Sequence, residues 1–76
     1  MKLSELRHNQ INTNDEIISA IGTHGKIVDQ HLKKAGHYIE LYLSIKWNNG
    51  NTSYVLFPDE CENITLTKEP YVHKVL

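Results

Sequence analysis

From Ile39 to Trp47 the odd positions are apolar (Ile39, Leu41, Leu43, Ile45, Trp47) and the even ones mostly polar (Glu40, Tyr42, Ser44, Lys46). Period-two alternation sends successive side chains to opposite faces, so this segment predicts a β-strand with one buried face. Asn48-Asn49-Gly50-Asn51 follows, a run of residues that tolerate positive φ, and Thr52 to Phe57 is again rich in β-branched and aromatic residues. The two stretches together predict a β-hairpin. Its register has two solutions. A two-residue turn at Asn49-Gly50 sets Phe57 opposite Tyr42, whereas a three-residue turn with a glycine bulge sets Leu56 there.

The rest of the chain arranges itself around this hairpin. Met1 to Gln10 has Ser4 as a candidate N-cap and Leu3 and Leu6 as apolar residues three apart, which fits either a short helical turn or an extended arm. Asn12-Thr13-Asn14-Asp15 is a cluster of turn formers that ends the arm. Glu16 to Ile21 reads as a first strand, Gly22-Thr23-His24-Gly25 as a tight turn, and Lys26 to Leu32 as a second strand. Lys33 to His37 reads as a loop pivoting on Gly36. After the hairpin, Pro58 ends the ladder pattern, and Asp59, Glu60 and Glu62 suit a short helical turn. Ile64 to Thr67 is the fifth strand, and Tyr71 to Leu76 is a tail with strand propensity.

Seventy-six residues allow a single domain, 1–76, divided into an arm (1–14), a core (15–66) and a tail (67–76). A chain of this size buries only about 60% of the surface its unfolded form exposes, so the core is small. With 39% hydrophobic and 22% charged residues the chain falls outside the disordered class. One cysteine, Cys61, excludes an internal disulfide framework and a thiolate zinc cluster. No apolar run reaches the length of a membrane span, and the first ten residues lack the core of a secretory signal, so a cytoplasmic location without a membrane partner is expected. A net charge of -1 argues against a dedicated binder of phosphate backbones.

Five short strands in so small a chain favour a mainly β barrel or compact sandwich. Gly22-Thr23-His24-Gly25-Lys26-Ile27-Val28, then Ile45-Lys46-Trp47-Asn48-Asn49-Gly50, then Pro58-Asp59-Glu60 resemble the SH3-like barrels of the KOW and Tudor kind. The likeness spans about Asp15 to Leu66 and implies a five-stranded SH3-like small barrel. It also implies a non-catalytic binding module, since KOW types bind RNA or proteins and Tudor types hold methylated side chains in an aromatic cage. Asn49 stands where a Tudor-like hairpin would carry an aromatic, so the cage itself is not expected here.

Tyr42 lies on the face opposite Leu41 and Leu43, and either hairpin register gives it an apolar neighbour, Leu56 or Phe57. Exposed, that pair could anchor a protein; the competing state is one in which Leu3 and Leu6 of the arm, or the tail, cover it. Trp47 beside the turn could stack on a ligand or cap the core. The expected partner-binding set is therefore Tyr42, Leu56, Phe57 and Trp47. The alternative is a KOW-like RNA- or DNA-binding barrel that uses Lys26, Lys33, Lys34 and Lys46 with Trp47. His31 and His37 could meet across a turn, but the five histidines have no metal-ligand spacing, and the acids around Cys61 oppose a thiolate. No enzyme, cofactor or metal site is expected. A small interaction protein of the accessory kind found in bacteria and phages, binding a host or partner protein, is the leading expectation; strand edges or the tail could also pair copies of the chain.

Overall fold

The structure, a computed structural model, describes residues 1–68. The expected strand-like tail from Tyr71 to Leu76 lies outside the described residues. Five strands form one antiparallel sheet: β1 (Glu16–Ser19), β2 (His24–Ala35), β3 (Tyr38–Trp47), β4 (Thr52–Phe57) and β5 (Ile64–Leu66). They lie in the order β4-β3-β2-β1-β5. Successive strands from β1 to β4 are therefore neighbours, and β5 returns to the free side of β1. The sheet is mainly β as expected, but it is open rather than closed: β4 and β5 stand at opposite ends of the strand order.

The hairpin between β3 and β4 takes the three-residue register. Trp47 N–H donates to Asn51 O at 2.8 Å, Gly50 N–H donates to Trp47 O at 3.0 Å, and Gly50 sits at φ +92°. That left-handed residue is the glycine bulge of such a loop, and an L side chain there would be strained. Leu56 consequently lies opposite Tyr42, and Phe57 opposite Leu41.

β2 is longer than the apolar pattern suggests. Lys33-Lys34-Ala35 carries no alternation, yet it is held in the ladder by pairing with Tyr38 to Glu40 across the two-residue turn Gly36-His37. A register shift between Ile27 and Asp29 leaves Val28 as an extra residue in β2. Such a bulge bends its strand and increases the twist. β1 stops at Ser19, two residues short of expectation, because Gly22 N–H donates to Ser19 O and Thr23 N–H to Ser19 Oγ, turning the chain early. The segment after Pro58 forms tight turns rather than a helix, with Cys61 N–H donating to Pro58 O and Ile64 N–H to Cys61 O.

The core contains Ile17 of β1, Ile27 of β2, Leu43 and Ile45 of β3, and Ile64 and Leu66 of β5, together with Cys61. Ile64 and Leu66 of β5 belong to this cluster and Val55 and Phe57 of β4 pack against it half-buried, so both ends of the sheet curl over it. The arm closes the open side: Leu3, Leu6 and Ile11 belong to the same cluster, with Leu3 and Ile11 fully buried. Two 3₁₀ turns, Leu3–Glu5 and His8–Gln10, deliver these residues. Lys2, not Ser4, caps the first turn, and its N–H donates to the Glu5 carboxylate at 3.2 Å. Lys2 also bridges Thr65, and Leu66 N–H donates to Met1 O, which covers the outer side of β5.

Candidate partner-binding face

The alternation in β3 is realised as two chemically different faces. Leu41, Leu43, Ile45 and Trp47 point to the core side with Ser53, Val55 and Phe57 of β4, while Tyr42 and Ser44 point outward with Tyr54 and Leu56. The expected set Tyr42, Leu56, Phe57 and Trp47 is thereby divided. Tyr42 and Leu56 are paired on the outer face; Phe57 and Trp47 pack against the core on the other.

Trp47 is anchored where it stands. Its Nε1–H donates to Ser53 Oγ at 2.8 Å, and its ring lies over Gly25, where an added Cβ would come within 2.6 Å of Cε3. Gly25 is thus a close-approach glycine, whereas Gly22 supplies the positive φ (+88°) of the same turn. The indole is half-buried and lines a shallow groove of about 390 Å³ with Lys26, Val28, Lys46, Asn48 and Gly50.

On the outer face, Tyr42 and Tyr54 stack with ring centroids 4.9 Å apart and planes within 6° of parallel. Leu56 flanks the stack from the position opposite Tyr42, and the His31 ring tilts against Tyr54 at 5.5 Å. His31 is positioned twice more, by Ser44 Oγ at 3.1 Å and Asp29 Oδ2 at 3.5 Å from Nε2. Lys33 places its ammonium 5.8 Å from the Tyr42 ring centroid, a cation–π distance. The arm, expected as a possible lid through Leu3 and Leu6, goes to the opposite face because those leucines complete the core. Tyr54 stays 56% exposed, and Tyr42 and Leu56 are half-buried.

Sequence reasoning missed Tyr54 and His31. Tyr54 shares the face of Tyr42 only once the three-residue register is chosen. His31 reaches it only because the Val28 bulge shifts the alternation of β2.

The four lysines do not form one patch. Lys26 and Lys46 lie directly opposite each other on the outer face near Trp47; Lys33 stands beside Tyr42, roughly 20 Å further along β2 at 3.3 Å per residue. Lys34 alternates to the other face, opposite Ile39. His31 and His37 do not meet: four rungs of the hairpin, about 13 Å, separate Tyr42, opposite His31, from the turn that holds His37. Among the described residues, no three side chains of His, Cys, Asp or Glu come together to hold a metal ion.

Ile39 departs from its expected burial. It is 67% exposed, and Leu32 on the neighbouring strand is 75% exposed, because the far end of the β2–β3 hairpin runs past the residues that cover the core. With Leu41, His8 and Gln30 they line a groove of about 520 Å³. Cys61 is fully buried, and its Sγ donates to Leu56 O at 3.6 Å. Burial first, then the charges of Glu60 and Asp59, push its thiol from 9.0 up to about 11. Such a thiol is held protonated and away from solvent, the opposite of a nucleophile's setting.

No family model, curated protein or solved structure matches this chain. Among the described residues no helix is long and apolar enough to cross a membrane.

Proposed function

We propose that the chain is a non-catalytic protein-interaction module of SH3-like architecture that engages its partner through the Tyr42–Tyr54 face. The observation that carries this reading is the stacked tyrosine pair itself, an aromatic surface left partly open to solvent beside Leu56, His31 and Lys33. Aromatic side chains with a polar tip supply large contact area at low entropic cost, which is why they dominate interface hot spots. The order of parts supports the architecture: strand, glycine turn, long hairpin, proline-bearing turn and a last short strand returned beside the first. Affinity purification of the native chain against a Tyr42→Ala/Tyr54→Ala variant tests the reading. A partner retained equally by both chains overturns it.

A second reading, nucleic-acid binding, is favoured by one observation. Lys26 and Lys46 are like charges set directly opposite each other, an arrangement that costs stability in a sheet and that a bound phosphate would relieve. Trp47 adjoins them as a stacking surface. The net charge of -1 and the separation of Lys33 and Lys34 from this pair place it second. Labelled RNA and DNA at two salt concentrations separate the readings: binding that falls steeply with salt and is lost in Lys26→Ala/Lys46→Ala favours the second.

A further inference from the structure

Beyond the aromatic face, the edges of the sheet differ in how they are protected. The outer side of β5 is covered by Met1 and Lys2 of the arm. The part of β2 that extends past β1 carries Asp29, Lys33 and Lys34, charges of the kind that blunt an edge. Among the described residues β4 has neither device: Thr52-Ser53-Tyr54-Val55-Leu56-Phe57 contains no charged residue and pairs there only with β3.

The hydrogen-bond pattern shows how much of this edge is open. Trp47 and Asn51 form the hydrogen-bonded pair that closes the hairpin, so by alternation Ser53, Val55 and Phe57 direct their backbone groups to β3, while Thr52, Tyr54 and Leu56 direct theirs outward. Leu56 is satisfied within the chain: its N–H donates to Glu60 Oε1 at 2.7 Å, and its carbonyl accepts from Glu60 N–H at 2.9 Å. Thr52 and Tyr54 remain without a backbone partner on that side among the described residues, two consecutive outward positions on an uncharged edge.

We infer that a second copy of this chain pairs antiparallel along this edge, Thr52 opposite the partner's Tyr54 and Tyr54 opposite the partner's Thr52. The register is self-complementary about Ser53, as a twofold interface requires, and it forms four backbone hydrogen bonds. It also avoids the capped position, because Leu56 then falls opposite Gly50 of the other copy, where that chain has already entered its turn. With no charge on β4, no like-charge pair opposes the contact. The two sheets become one of ten strands, and the two Tyr54 rings become diagonal neighbours at about 7–8 Å, joining both tyrosine stacks into one strip.

Sedimentation equilibrium over about a hundredfold range of concentration tests this, together with amide hydrogen exchange at Thr52 and Tyr54 at both ends of the range. The mass is expected to rise from that of one chain toward that of two, with the Thr52 and Tyr54 amides gaining protection in step. Tyr54→Pro removes one outward N–H per chain, two of the four bonds, and should weaken association roughly tenfold or more. Thr52→Lys places a charge on the edge and should do the same, which keeps the test decisive where the proline variant fails its circular dichroism check. A monomer at every concentration, or a dimer insensitive to both substitutions, overturns the inference. So does concentration-independent protection of the two amides, which would mean that the edge is covered within the chain.

Discussion

Replacing Leu3 by alanine asks whether the arm is an appendage or part of the core. Leu3 is fully buried, shares a cluster with Ile17, Leu43, Ile45 and Leu66, and is held in place by the Lys2–Thr65 bridge and by Leu66 N–H donating to Met1 O. Truncating a buried leucine removes its transfer free energy and leaves a cavity, together about 2–5 kcal/mol. A domain of this length has a total stability of about 4–11 kcal/mol, so the loss is a large share of the whole. Urea unfolding followed by Trp47 fluorescence is a direct assay, because the ring is half-buried over Gly25 and bonded to Ser53. The midpoint should fall with little change in slope, and thermal melting should drop by about 4–8 °C per kcal/mol lost. A loss below about 0.5 kcal/mol, the range of an ordinary surface substitution, would refute the assignment of the arm to the core.

Two further outcomes follow from single contacts. Gly25→Ala should destabilise by about 1–3 kcal/mol and shift the Trp47 emission, because the new Cβ would meet Cε3 at 2.6 Å and the Lys46 carbonyl at 2.9 Å; an unchanged spectrum and melting point would contradict the contact. Cys61 should make the fold sensitive to alkali. Its thiol titrates near 11 when folded against 9.0 unfolded, so below pH 9 both states keep the proton, and between pH 9 and 11 the unfolded state releases it first. Stability attributable to this group therefore falls as pH rises through that window, by about 3 kcal/mol in all, and Cys61→Ala should show a flatter alkaline limb in its stability curve. Parallel limbs in the two proteins would dispose of the argument.

The β3–β4 hairpin was legible because its alternation is long and uninterrupted, and the resulting assignment of Tyr42 to the outer face needed nothing more. Its neighbours on that face were a harder problem. The identity of the residue opposite Tyr42 turns on one residue of loop length, and nothing in Asn48-Asn49-Gly50-Asn51 distinguishes the two loops until Gly50 alone of the four is seen at positive φ, Asn49 not sharing it as a two-residue turn would require, and Trp47 is seen bonded to Asn51. β2 hides its faces for a similar reason. Ile27 and Leu32 are five residues apart, which strict alternation puts on opposite faces, yet the Val28 bulge returns both to the core side of the sheet. Leu3, Leu6 and Ile11 follow no helix or strand period, because they are delivered by two 3₁₀ turns whose job is to fill the open side of a curled sheet. Their burial is a property of the whole fold rather than of their local pattern.

The central claim, that the Tyr42–Tyr54 face binds a partner protein, is tested most directly by comparing two tyrosines on the same outer face of the sheet. Tyr54 of β4 belongs to the stack, whereas Tyr38, at the far end of β3, is 69% exposed and belongs to no stack among the described residues. Titrating the captured partner into the wild-type chain, Tyr54→Ala and Tyr38→Ala, with folding checked by circular dichroism, should give a dissociation constant raised about tenfold or more by the first substitution and unchanged by the second. Equal effects of the two substitutions, or none from Tyr54→Ala, would contradict the account.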